Sequence, residues 1–283
     1  MLIYHAARPI FIGGMFKSGT TLLRAMLGRH SNLYSGLETY WFSVNWDDMF
    51  SKNNWLARMA KFFDIPNHEI QEIAIRSNST EIFLDNFMSA QSRKQGKKRW
   101  IEKTPGNVGV IDRILCNWSD AVVLHVVRDP RDVYASMIEI NKWTEPIEFA
   151  DRWCATVGIA RNWLRDQGGS HSAYFELRYE ELVTRPRSVM VRILSFLGEP
   201  WEPGIDEFKG QNNEYELVKK VTGKESSTLR RLSQPLTCSR VGVWRKVLSP
   251  NLWYAVRDEL HNRGYGFLVD ELIHESERHE IYR

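Results

Sequence analysis

The sequence is short of cysteine, of long apolar runs and of net charge, and each shortage removes a class of protein. Three cysteines, Cys116, Cys154 and Cys238, stand far apart in 283 residues. An odd number at such spacing carries neither a zinc-ligand pattern nor a disulfide framework, and it fits a reducing compartment. The longest apolar stretch, Ala121 to Val127, is far too short to cross a bilayer. The opening Met1-Leu2-Ile3-Tyr4-His5 lacks the apolar core of a secretory signal and runs almost at once into a strand. The expectation is a soluble, cytoplasmic protein with no transmembrane segment. Lys and Arg number 38 against 35 Asp and Glu, a net charge of +3. That is too mild for a nucleic-acid partner, yet it leaves room for a local basic pocket that takes a highly charged nucleotide. Tryptophan, by contrast, is abundant at eleven residues. Most are expected in the core, with Trp41, Trp46 and Trp55 as candidates to stack on a sugar or aromatic ring.

Strand and helix patterns alternate along the chain. Pro9 to Ile12 reads as a buried strand, followed by a glycine-containing loop and a helix whose apolar face is Leu22, Leu23, Ala25, Met26 and Leu27. Arg99 to Lys103, Ala121 to Val127 and Ala173 to Leu177 read as further strands. Asp129 and Pro130 form a helix start, N-cap then first helical residue, for a helix through Ile140. Helices are also expected over Ile147–Arg165 and Arg187–Leu197, with a last one over Asn251–Arg263. Residues 41–98 have helical periodicity and read as a helical insertion, the basic run at 93–99 as a solvated loop, and Lys209 to Ser239 as an irregular lid. The fold class expected is α/β: one three-layer, P-loop-like domain over 1–283, with a central parallel sheet and helices on both faces. In such a sheet ligands bind outside the carboxyl ends of the strands. Lys17, Lys103 and Arg128, each just after or at the end of a strand, are therefore expected to meet in one crevice.

The loop Gly13-Gly14-Met15-Phe16-Lys17-Ser18-Gly19-Thr20-Thr21 has the chemistry of a phosphate site, because a turn into a helix N-terminus offers unpaired N–H groups and a positive dipole end. It departs from the nucleoside-triphosphate loop G-x-x-x-x-G-K-[ST]. Gly14 and Gly19 have the right separation, but Thr20 stands where the lysine belongs and Lys17 lies two residues upstream of Gly19.

Phe16-Lys17-Ser18-Gly19-Thr20-Thr21-Leu22-Leu23 resembles the 5′-phosphosulfate loop of the sulfotransferase family. The stretch from Gly13 to Glu38, with Arg24-Ala25-Met26-Leu27 and Gly36-Leu37-Glu38-Thr39, is most similar to tyrosylprotein sulfotransferases. Val126-Val127-Arg128-Asp129-Pro130-Arg131-Asp132-Val133-Tyr134-Ala135-Ser136 resembles the family's 3′-phosphate segment. Leu177 to Leu182 and Ser239 to Arg245 resemble, more loosely, the segments that meet the nucleotide late in the chain. The resemblance implies 3′-phosphoadenosine 5′-phosphosulfate as sulfuryl donor, 3′,5′-ADP as product and no metal. It implies that Lys17 contacts the bridging oxygen and that Ser18, Gly19, Thr20 and Thr21 donate to the 5′-phosphate. Arg128, Ser136, Tyr179 and Arg240 would hold the rest of the nucleotide, with Arg245 or Lys246 as substitutes for Arg240.

Three groups are then expected to carry the transfer. Glu38 is the candidate base, with a raised pKa expected beside an anionic nucleotide. Lys17 stabilises the leaving oxygen, and Lys103, in a Glu-Lys-Thr-Pro segment like that of carbohydrate sulfotransferases, contacts the sulfonate. The acceptor is a hydroxyl of a carbohydrate, a small molecule or a tyrosine. Two alternatives stand beside this reading: a P-loop kinase or NTPase, and a nucleotide-binding protein without activity.

Overall fold

The computed structural model describes residues 8–46, 55–211 and 213–280. Its centre is a five-stranded, all-parallel sheet of order β2-β3-β1-β4-β5. These strands are β1 Ile10–Gly13, β2 Leu33–Ser35, β3 Arg99–Lys103, β4 Val122–Val127 and β5 Tyr174–Arg178. In β1, β3 and β4 every residue is buried, as expected where helices cover both faces of a parallel sheet. Ile12 pairs with Lys103 on one side of β1 and with Leu124 on the other, so the ends of β3, β1 and β4 lie side by side.

Alternation along the strands divides the core. Ile10, Ile12, Val122, Leu124 and Val126 face one layer, with Leu23, Met26 and Leu27 of α1 (Thr20–Leu27). Phe11, Trp100 and Val123 face the other, which contains α2 (Trp55–Phe62), α3 (Asn67–Ile75), α4 (Thr80–Lys94) and α5 (Ile111–Asn117). A third cluster builds around α6 (Pro130–Ile138) and α7 (Pro146–Trp153), next to the carboxyl ends of β1 and β4. It also takes residues of the last two helices described below.

The structure departs from the sequence reading in several places. β2 escaped notice because three residues are too few to show a period. The helix expected over Ile147–Arg165 is interrupted: α7 is followed by a π-turn at Cys154–Gly158 and then α8 (Ile159–Asp166). Gly158 is the reason a ring fits there, since a Cβ would lie 2.5 Å from the ring of Tyr265. After α9 (Tyr179–Thr184) and α10 (Pro186–Leu197), the stretch read as irregular contains α11 (Asn213–Thr222) and α12 (Ser227–Leu232). Short α13 (Trp244–Val247) and α14 (Pro250–Asn262) follow, and α14 is not the last helix: α15 runs over Gly266–Glu280. The basic run is no loose loop either, because Arg93 and Lys94 end α4. Arg99 is buried and donates to Glu199 Oε1 at 2.7 Å and to the Leu197 carbonyl at 2.8 Å.

The inserted stretch is helical as expected, and residues 47–54 lie outside the described residues. Trp41 and Trp55 are core residues, not ligand platforms: their indole nitrogens donate to Asn107 Oδ1 at 3.2 Å and to the Thr39 carbonyl at 2.8 Å. Among the described residues no helix is long and apolar enough to cross a membrane.

Candidate functional site

The glycine loop leaves β1 between two close approaches. At Gly14, φ is 149° and a Cβ would sit 2.3 Å from the Val126 carbonyl oxygen. At Gly19, φ is 104° and a Cβ would sit 2.4 Å from the Tyr179 ring. Both conformations exclude larger residues, so the loop can lie flat between β4 and α9. Gly19 is the N-cap of α1 and supplies no capping side chain, which leaves the first amides of the helix open. Ser18 is fully buried, and its Oγ has no hydrogen-bond partner among the described residues.

Lys17 has φ 67°, the left-handed region that a lysine occupies only when its surroundings hold it there. Arg128 holds it, donating from Nη1 to the Lys17 carbonyl at 2.8 Å. The Lys17 ammonium donates to Thr228 Oγ1 at 2.8 Å and Ser227 Oγ at 3.3 Å, both on α12. Burial, with the guanidinium groups of Arg231 and Arg240 pushing the same way, lowers its pKa to about 8.

Lys103 closes β3 fully buried. Its ammonium hydrogen-bonds Glu38 Oε1 and, at 3.1 Å, Thr21 Oγ1. Burial lowers the Lys103 pKa, with Glu38 pulling against it. Burial alone would raise the Glu38 carboxyl, but the charge and hydrogen bond of Lys103 outweigh it and hold Glu38 below the usual carboxylate range. The expected raised pKa is thus reversed, because the carboxylate is paired with the neighbouring lysine.

The Glu38 segment is gripped from two sides. The buried Glu102 carboxylate accepts from Thr39 Oγ1 at 2.8 Å, Thr104 Oγ1 at 2.7 Å and Asn107 Nδ2 at 2.6 Å. From α2, Arg58 donates to the Glu38 carbonyl at 3.0 Å, its guanidinium 4.7 Å from the Phe62 ring and 5.1 Å from the Tyr40 ring.

At the other end of the cleft, Asp129 caps α6 by accepting from the Arg131 N–H at 2.8 Å, as the Asp-Pro pair predicts. The Arg128 guanidinium lies 4.5 Å from the Tyr179 ring centroid. Its two Nη groups donate to the carbonyls of Lys17 and Arg240, not outward as a free fork, and its buried Nε has no partner among the described residues. Arg240 Nη2 donates to Ser136 Oγ at 3.0 Å. Of the basic residues in the late segment, Arg240 is the one in the cleft wall. Asp132 pins that segment by accepting from the N–H groups of Gly242 at 2.8 Å and Trp244 at 3.0 Å.

These groups share one cleft of about 520 Å³, a volume in the usual range for small-ligand sites. Every predicted site residue except Ser18 lines it: Lys17, Gly19, Thr20, Thr21, Glu38, Lys103, Arg128, Ser136, Tyr179 and Arg240. Sequence reasoning missed Arg24, Arg58, Arg231 and Thr228, which also line it. Arg24 is buried and pairs through both Nη groups with Glu214 on α11. Asp132, four residues after Arg128, was within reach of a motif-based reading. Arg231 and Thr228 were not, because their helix was read as irregular.

Comparison with known proteins agrees with this arrangement. Residues 9–203 match the family described as "Sulfotransferase family". The protein-tyrosine sulfotransferase of Drosophila melanogaster is 27% identical over 264 residues, covering 85% of this chain and 48% of that protein. An uncharacterized protein of Aquifex aeolicus (strain VF5) is 25% identical over 252 residues, covering 86% of this chain and 31% of that protein. The chain thus spans half or less of the length of these two relatives. In fold it is similar to the sulfotransferase domain from the curacin biosynthetic pathway, with a TM-score of 0.62, 18% identity, and 93% of this chain and 99% of that one covered. The sulfotransferase domain of the Synechococcus PCC 7002 olefin synthase gives a TM-score of 0.61 at 19% identity, covering 93% of this chain and 98% of that one. With a family match over most of its length and a cleft built from the residues its motifs marked, the chain belongs to the sulfotransferase family.

Proposed function

We propose that this chain transfers a sulfuryl group from 3′-phosphoadenosine 5′-phosphosulfate to an acceptor hydroxyl. The observation that carries the proposal is one cleft lined by the Lys103–Glu38 pair, by Lys17 with the glycine loop, and by Arg128, Ser136 and Arg240. The residues present fit such a nucleotide: Gly14 and Gly19 leave a cradle that a Cβ would fill, and Ser18 Oγ, Arg128 Nε and Arg240 Nε are buried polar atoms without partners among the described residues. The donor supplies a sulfonate on a phosphate leaving group.

Ser18 and the open amides from Gly19 to Thr21 hold the 5′-phosphate, and Lys17 faces the oxygen on which negative charge builds. Lys103 stabilises the sulfonate oxygens, and Glu38 takes the acceptor proton as the hydroxyl attacks. Arg128, Ser136, Tyr179 and Arg240 bind the adenosine 3′-phosphate end. No step of this scheme calls for a metal. On the Glu38 side the wall combines Leu37, Tyr40, Phe62 and Pro105 with Arg58, whose guanidinium lies against the Tyr40 and Phe62 rings. A phenol such as the side chain of tyrosine suits a wall of rings with a cation on them.

Calorimetric titration tests the assignment of the 3′-phosphate end. The wild type is expected to bind 3′,5′-ADP more tightly than 5′-AMP, and Arg128→Ala to lose most of that preference, about 1.5–3 kcal/mol for a charge-assisted contact. Equal affinity of the wild type for both nucleotides would overturn the assignment.

A second expectation concerns pH. Lys17 is protonated below its pKa of about 8 and loses its charge above it. Nucleotide anions favour the protonated form. The affinity for 3′,5′-ADP should therefore hold up to about pH 8 and fall above it, approaching tenfold per pH unit as the limit for one linked proton. In Lys17→Met this fall should disappear, whereas an unchanged pH profile in that variant would assign the fall to another group.

A further inference from the structure

Asp132, Ser136 and Glu139 follow one another at spacings of four and three, which puts them on one face of α6 and its C-cap. Asp132 fixes the backbone of the late segment, and Ser136 is the hydroxyl in the cleft wall. Glu139 has no place in the scheme above, yet it forms a two-armed ion pair with a residue of the cleft wall. Arg240 grips its carboxylate with both arms, Nη1 to Oε1 at 2.9 Å and Nη2 to Oε2 at 2.6 Å. Arg231, on α12, stands 3.5 Å from the same carboxylate. Hydrogen bonding from Arg240 is the main reason the Glu139 carboxyl is held below its usual range.

A guanidinium fork closed on two oxygens is also the arrangement that recognises a phosphate. The fork of Arg240 cannot close on Glu139 and on a phosphate at once. The Arg240 Nε is buried, so the face of the guanidinium open to a phosphate is the Nη1–Nη2 face that Glu139 occupies. One anion must leave Arg240 for the other to bind it in this way.

We propose that Glu139 is a built-in competitor for the 3′-phosphate: its carboxylate occupies Arg240 and Arg231 until a phosphate takes its place. The inference rests on the assignment of the 3′-phosphate to Arg128, Ser136 and Arg240. A competitor of this kind lowers the affinity for every ligand that needs the fork, in proportion to the fraction of molecules in which the fork is closed on Glu139. It leaves untouched a nucleotide that carries no 3′-phosphate.

The test is calorimetric titration of 3′,5′-ADP and of 5′-AMP into the wild type, Glu139→Gln and Glu139→Ala at one fixed salt concentration. Removing the competing charge should tighten 3′,5′-ADP about twofold to fivefold, the range for a partly exposed ion pair, and leave 5′-AMP unchanged. Glutamine keeps the volume of Glu139, and the side chain is 31% exposed at a helix end, so both variants are expected to melt like the wild type. If the wild type prefers 3′,5′-ADP but the variants bind it equally or more weakly, Glu139 is a brace that orients Arg240 and the competitor reading fails alone. A wild type without preference for 3′,5′-ADP overturns the 3′-phosphate assignment and the competitor with it.

Discussion

Glu38→Gln should lower turnover by about 10²–10⁴-fold, the usual range for a general base, while its affinity for 3′,5′-ADP stays within about twofold of the wild type. Glutamine keeps the shape of the side chain and an oxygen that accepts from the Lys103 ammonium, and loses the basicity together with the negative charge. The backbone at this position is held independently, by Arg58 on the Glu38 carbonyl and by Glu102 on Thr39, so the segment should keep its course. Single-turnover kinetics with a panel of phenols, tyrosine peptides and sugars would place the loss on the chemical step. The ion pair with Lys103 also sets the sign of the pH dependence. Glu38 acts ionised, and its pKa is held below the usual carboxylate range, so the acid limb of kcat/KM should lie lower than for an unpaired glutamate. In Lys103→Met, burial without the compensating charge should move that limb upward. Wild-type turnover in Glu38→Gln would place the base elsewhere.

Lys17→Ala should cost about 10²–10³-fold in turnover through lost stabilisation of the leaving oxygen. Unlike the Glu38 variant, it should also weaken nucleotide binding. The loop is expected to survive the substitution, because Arg128 and the flanking glycines hold its course through main-chain contacts. The left-handed backbone at residue 17 strains alanine and lysine alike. Lys17→Arg should recover part of the binding, since a guanidinium keeps the charge, but less of the turnover, since its geometry differs from that of an ammonium. Equal losses of turnover and equal nucleotide affinity in Lys17→Ala and Glu38→Gln would contradict the separate roles given to the two groups.

The parts of the site that could be read directly share one property: each is encoded within a few residues. The glycines at 14 and 19, the Asp129-Pro130 helix start, the buried apolar run of β4 and the position of Lys103 at the end of β3 follow from backbone sterics, capping and burial. The parallel sheet follows from the alternation of strands and helices, and with it the expectation that residues after the strands meet. α11 and α12 are short and rich in polar and charged residues, which hides their few apolar positions, although both pack near the cleft and α12 buries Leu229 and Leu232. The break between α7 and α8 ends at Gly158, which packs against Tyr265 more than a hundred residues away, and no local pattern announces that contact.

The sequence by itself determined which residues line the cleft, since a glycine loop and a charged strand end need particular residue types at short, fixed spacings. Only the tertiary structure decided the state in which those residues are held. Lys103 and Glu38 are 65 positions apart, Lys17 and Thr228 are 211 apart, and Arg240 and Glu139 are 101 apart, yet each pair is in hydrogen-bonding contact. A carboxylate's pKa depends on the charge within a few ångströms and on the water excluded around it, and both are set by the order of strands and the docking of helices. That is why Glu38 could be named from its motif while the direction of its pKa shift could not.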